Sequence, residues 1–139
     1  MDNADWPGFD VTERLGLRRW IDRPIAEYSL GTRAKIAIAA ALLGAPPLLI
    51  FDESLNGIDP LAAWEIKRII RSVAASGRHA VIISTHLVEA VPGLCTRAVL
   101  LVEGRIARHW DARQLAEASS GAFEAEVMVA LRAGASAPA

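Results

Sequence analysis

Leu48-Leu49-Ile50-Phe51-Asp52-Glu53-Ser54-Leu55-Asn56-Gly57-Ile58-Asp59-Pro60 is the stretch on which the reading of this chain turns. Four apolar residues run straight into two adjacent carboxylates. A short apolar run without alternation predicts a strand buried on both faces, as in a parallel sheet. Asn56-Gly57 predicts a turn. Asp59-Pro60 predicts a helix start, with the acid as cap and the proline in the first helical position. Carboxylates at the carboxyl end of such a strand lie at the edge where open α/β sheets bind ligands. Two neighbouring acids repel, so a positive partner is expected, most simply a metal ion with a phosphate. A strand followed by a solvated turn is the plainer reading of the same residues.

Upstream, Tyr28-Ser29-Leu30-Gly31-Thr32-Arg33 opens a segment rich in Ala, Ile and Leu. It reads as a helix from about Thr32 to Leu43, stopped by Gly44 and Pro46-Pro47. Ser29 suits its N-cap. A helix start offers free N–H groups and a partial positive charge, and so can hold a phosphate; an ordinary cap is the alternative. Arg33 and Lys35 read as solvated. Val11 to Ile21 reads as an earlier helix capped by Asp10 or Thr12. Its apolar face carries Val11, Leu15, Leu17 and Ile21, with Trp20 beside them, and Asp22-Arg23-Pro24 ends it. Residues 1–10 read as a loose arm.

Downstream, Leu61 to Ala75 predicts a helix with Trp64, Ile66, Ile69, Ile70 and Val73 inward and Lys67, Arg68 and Arg71 outward. Ala80 to Thr85 predicts a second buried strand, ending at His86; a histidine there is ordinarily structural. His79 and His109 read as surface residues. Leu87 to Val91 predicts a short helix stopped by Pro92-Gly93. Arg97 to Val102 and Arg105 to Trp110 flank Glu103-Gly104 as a β-hairpin. Asp111 then caps a helix through about Glu117. The segment Ser119 to Ala139 is rich in Ala, Ser and Gly and reads as a tail, with Phe123 to Leu131 as a candidate strand.

In this order and spacing, Ser29-Leu30-Gly31, Leu48 to Glu53 and Ser84-Thr85-His86 resemble the signature loop, Walker B strand and switch region of the ATPase subunit of ATP-binding cassette (ABC) transporters. The resemblance covers roughly residues 11 to 115. It is nearest the bacterial exporter type, whose signature often begins Tyr-Ser. It implies an α/β fold: a partial P-loop NTPase (ABC ATPase) fold, mostly a parallel sheet flanked by helices, lacking the N-terminal Walker A part. It divides the chain into a partial ABC ATPase domain over residues 1–118 and a tail over 119–139. Within the domain, 1–45 would be the end of the helical subdomain and the signature helix, and 46–118 the core.

The resemblance implies ATP and Mg2+ as cofactors and, with them, catalysis of ATP hydrolysis. Ser29, Leu30, Gly31 and Thr32 would contact the terminal phosphate of a nucleotide held mainly by the opposite subunit. Asp52 would hold magnesium through water, and Glu53 would polarise the attacking water. Asp59, in the D-loop spanning Asn56 to Pro60, would join the dimer contact. His86 would contact the terminal phosphate. Leu30 stands where the family usually has its first glycine, Thr32 where it has glutamine, and Ser54-Leu55 where it has Pro-Thr or Pro-Ser. The implied partners are a second ABC ATPase subunit and a transmembrane permease subunit, which would place the chain on the cytoplasmic face of the cell membrane.

The chain has 139 residues, 53% of them in the hydrophobic set, enough for one core. A net charge of -1 gives no basic field for nucleic acid. The single cysteine, Cys95, has no internal partner, as expected in a reducing compartment. Met1 to Asp5 is acidic and unlike a secretion signal. The apolar region Ile36 to Phe51 is broken by Pro46-Pro47, so it reads as a helix and a strand and not as a membrane span.

No stretch matches the phosphate-cradling loop Gly-x-x-x-x-Gly-Lys followed by Ser or Thr. The only glutamine, Gln114, comes too late for the family's Q-loop. The expectation is the C-terminal part of an ATPase domain, with little affinity for ATP on its own and with an exposed sheet edge and apolar surface. Three functions fit. The first is an ATP-driven transport motor subunit, present as a truncated chain and working as a head-to-tail pair. The second is a non-catalytic remnant or regulatory module that pairs with a full-length ABC ATPase subunit. The third, a DNA-maintenance ATPase head, would carry coiled coils and basic surfaces that the sequence lacks.

Overall fold

In the computed structural model, which describes residues 10–44 and 46–135, the stretch quoted first forms strand β1 (Leu48–Asp52). It pairs in parallel with β2 (Ala80–Ser84), Leu48 opposite Ala80 and Asp52 opposite Ser84. Parallel neighbours need a crossover. Here that crossover is helix α3 (Pro60–Ala75), capped by the Asp59 side chain, which accepts the Ala62 N–H, with Pro60 in the first turn. Helix α2 (Leu30–Leu42) packs against β1, and α3 packs against β2.

Two corrections concern burial. β1 is buried on one face only: Leu49 and Phe51 are buried, whereas Leu48 and Ile50 are exposed. Ile82 is exposed opposite Ile50. The residues are apolar enough for burial on both sides, but one face of this sheet is uncovered. Trp64, placed inward by its spacing, is 54% exposed. Ala62, Ile66, Ile69, Ile70 and Val73 already fill the buried stripe of α3. Two residues from Ile66, Trp64 falls on the opposite side, where the Arg68 guanidinium lies 4.6 Å from its ring centroid.

The helix expected over Val11 to Ile21 is one turn long, α1 (Val11–Arg14). Gly16 takes φ +63°, and the Leu17 N–H reaches back to the Thr12 carbonyl while the Gly16 N–H reaches Glu13. That is a Schellman stop, which glycine allows at no steric cost. Asp10 does not cap α1 through its side chain. The chain resumes as a 3-10 turn at Arg18–Trp20, and Ile21 is exposed. Arg14 ties α1 to α3 through Glu65, at 2.9 Å and 3.1 Å. Of the expected arm, only Asp10 lies within the described residues.

The chain forms two compact units that divide between Thr85 and His86. In the second, a 3-10 turn (Val88–Ala90) leads into α4 (Val91–Leu94), whose first turn accommodates Pro92 where a stop was expected. β3 (Ala98–Val102) and β4 (Arg105–Trp110) form the expected antiparallel hairpin, with Glu103 and Gly104 both at positive φ. Helix α5 (Ala112–Glu117) starts with a capping box: Asp111 accepts the Gln114 N–H, and the Gln114 side chain accepts the Asp111 N–H.

The candidate strand Phe123 to Leu131 is instead part of a long helix, α6 (Ser120–Ala135). Phe123 and Val127 of α6 are buried with Trp110 and Leu115 in one apolar cluster. The Trp110 and Phe123 rings lie 4.9 Å apart. Phe123, Val127 and Leu131 recur every four residues, a helical period. Among the described residues no helix is long and apolar enough to cross a membrane.

Candidate functional site

β1 delivers Asp52 to the carboxyl edge of the parallel sheet, opposite Ser84 at the end of β2. The Ser84 hydroxyl donates to Asp52 Oδ1. The next residue, Glu53, turns sharply into a left-handed conformation, φ +48°. Its N–H is held by both the Ser84 carbonyl, at 3.1 Å, and the Ser84 hydroxyl, at 3.2 Å. Its carboxylate accepts from the Asn56 side chain at 2.9 Å. Non-glycine residues seldom adopt that φ, and they do so where surrounding bonds hold them. Both carboxylates are exposed. They stand at the carboxyl end of the sheet, the edge where open α/β sheets bind ligands.

The start of α2 is organised as the sequence predicted. Ser29 is its N-cap, accepting the Thr32 N–H at 3.2 Å and pairing with the Thr32 hydroxyl at 2.9 Å. Thr32 is itself buried, so its hydroxyl braces the loop from inside. Leu30 is 73% exposed. A Cβ on Gly31 would come within 3.1 Å of the Gly57 carbonyl, and one on Gly57 within 3.0 Å of Leu30 Cδ2. The first turn of α2 and the turn before α3 are therefore in contact.

Lys35 reinforces that contact. It was expected to be solvated, but its Nζ lies 2.9 Å from Asp59 Oδ2. The Ala62 N–H, then the Lys35 ammonium, hold the Asp59 carboxyl below its ordinary range. Asp59 thus caps α3 and ties it to α2 at once.

The structure brings the predicted residues together as two groups in the first unit: Asp52 with Glu53, and Ser29 to Thr32 with Asp59. His86 opens the second unit; it is exposed, and its carbonyl accepts the Val88 N–H. His79 is not a plain surface residue, since its Nδ1 lies 2.7 Å from the Pro46 carbonyl.

Among the described residues no group of three or more His, Cys, Asp or Glu is placed to hold a metal ion. A lone carboxylate such as Asp52 suits magnesium, which keeps several waters and binds through one or two carboxylates plus substrate phosphates. The donor set fits a metal that arrives with a nucleotide.

A family model described as "AAA domain, putative AbiEii toxin, Type IV TA system" matches residues 18–91, just over half of the chain. The chain is similar to a solved ATP binding subunit of an ABC transporter, with a TM-score of 0.72 and 28% identity, over 85% of this chain and 51% of that one. The chain belongs to the ABC-type ATPases. An uncharacterized ABC transporter ATP-binding protein of Bacillus subtilis, YdbJ, is 39% identical over 97 residues, which are 70% of this chain and 32% of that protein. The ribose import ATP-binding protein RbsA 2 of Rhizobium meliloti is 38% identical over 109 residues, 78% of this chain and 21% of that protein. This ABC-type ATPase chain thus spans a third or less of these curated relatives. Its α/β fold, with a parallel sheet and flanking helices, is that of a P-loop NTPase of the ABC type.

Sequence reasoning read Ser84 as part of a strand and switch region, Asn56 as part of a turn and D-loop, and Lys35 as solvated, and gave none of the three a contact within the site. Ser84 was legible only through strand register, since it lies 32 residues from Asp52 in sequence. Asn56 sits three residues after Glu53, a spacing at which a turn returns a side chain to its own start.

Proposed function

We propose that this chain acts as the ATP-binding subunit of an ABC transporter, in which ATP binding and hydrolysis drive transport through a membrane partner. The observation that carries the reading is the acid pair at the carboxyl end of parallel β1, with Glu53 turned to φ +48° and its carboxylate tethered by Asn56. Asp52 would hold the magnesium of bound Mg-ATP. That ion, when present, neutralises charge on the phosphates during transfer. Glu53 serves as the oriented acceptor for a proton of the attacking water.

The Ser29 hydroxyl and the backbone of Leu30 and Gly31 form an anion-facing helix start, which closes over nucleotide held by a second ABC ATPase subunit. Asp59 lies beside it and joins that contact. A transmembrane permease is the other partner, with the chain held at the cytoplasmic face of the membrane.

ATP-dependent pairing tests this. Mixed with a complete ABC ATP-binding subunit, the chain is expected to co-sediment in Mg-ATP and to separate without it. Ser29→Ala removes a hydrogen bond to a charged group and weakens pairing by about 10-fold or more. Ser29→Thr keeps the cap and the pairing. Co-sedimentation indifferent to nucleotide and to Ser29 would contradict the reading.

A further inference from the structure

We propose that Ser84 is a positioning residue for both carboxylates of this site. It holds Asp52 toward magnesium and fixes Glu53 in its left-handed turn. The proposal rests on the functional reading above. Ser84 stands opposite Asp52 in the parallel register. Its hydroxyl donates to Asp52 Oδ1 and accepts the Glu53 N–H at 3.2 Å. The Ser84 carbonyl accepts the same N–H at 3.1 Å. A serine hydroxyl has one proton to give and lone pairs to accept with, so both bonds form together.

This arrangement does two things. The bond to Oδ1 restrains the Asp52 carboxylate, as an outer partner orients a metal ligand. The shared N–H sets the plane of the peptide between Asp52 and Glu53, and with it the direction in which Glu53 leaves the strand. Alanine keeps the carbonyl contact but loses the hydroxyl. Threonine keeps both and suits a strand.

The first measurement needs no nucleotide. In NMR spectra of the isolated chain, Ser84→Ala is expected to move the Asp52 carboxyl carbon and the Glu53 amide resonances. Ser84→Thr leaves both near their wild-type positions. The second measurement is ATP turnover by the chain mixed with a complete ABC ATPase subunit. Ser84→Ala is expected to raise the magnesium concentration for half-maximal turnover by about 10-fold, and Ser84→Thr to restore it. Unmoved resonances, or wild-type turnover and magnesium dependence in Ser84→Ala, overturn the proposal while the functional reading stands. A wild-type mixture without turnover that depends on Glu53 sinks the reading, and the proposal with it.

Discussion

Asp59 joins two motifs with one carboxylate. Oδ1 accepts the Ala62 N–H at 2.9 Å, and Oδ2 meets Lys35. Both contacts favour the ionised form, so its folded-state carboxyl is depressed. The stability it gives is fully present above the unfolded value, about 4, and is lost as pH falls through the lower folded value. Asp59→Asn keeps capping ability but loses the ion pair and the titration. The urea midpoint of the wild type is expected to fall toward that of Asp59→Asn as the pH drops below about 4. The effect is small, because Asp59 is half exposed and screened. Asp59→Ala costs about 1 kcal/mol at neutral pH through the lost cap. The cap was legible from Asp-Pro alone. The ion pair was not, because Lys35 and Asp59 are 24 residues apart and meet only when α2 and α3 are in place.

Elements were legible where a local signal fixed both ends. β1, α2, α3, the β3–β4 hairpin and α5 have clear caps, turns or apolar runs. Where a single glycine or a diluted period decided the matter, the reading failed. Gly16 cuts α1 to one turn. In α6, alanine, serine and glycine obscure a repeat of Phe123, Val127 and Leu131, although that repeat buries the helix against Trp110 and Leu115. Phe123→Ala is expected to destabilise the chain by about 3–5 kcal/mol, as read by chemical denaturation. The two faces of β1 give a sharper contrast. Phe51→Ala empties a buried position and costs about 3–5 kcal/mol. The neighbouring Ile50 is 63% exposed, so Ile50→Glu changes stability by less than about 1 kcal/mol. Equal losses at the two positions would mean that the outer face is covered in solution.

At the scale of the molecule, the exposed residues Leu48, Ile50 and Ile82 lie on the same sheet face as Asp52 and Ser84. An apolar face of this kind commonly marks a contact surface. The relatives are three or more times as long as the span they share with this chain. Exposed apolar surface was expected from the sequence, and Leu48, Ile50 and Ile82 are exposed. The sequence reading did not foresee the division at Thr85, because it took the strand ending at Ser84 and the following histidine as one continuous motif. Under the proposed function, this chain brings chemistry to a nucleotide held mainly by a second subunit.

ATP turnover tests that directly, measured for the chain alone and then mixed with a complete ABC ATP-binding subunit. The account predicts no turnover alone. It predicts added turnover in the mixture, and Glu53→Gln in this chain removes that added rate by about 100-fold or more. Turnover by the isolated chain would contradict the account. So would a mixture whose rate ignores Glu53→Gln, which would leave the chain as a pairing module without a catalytic part.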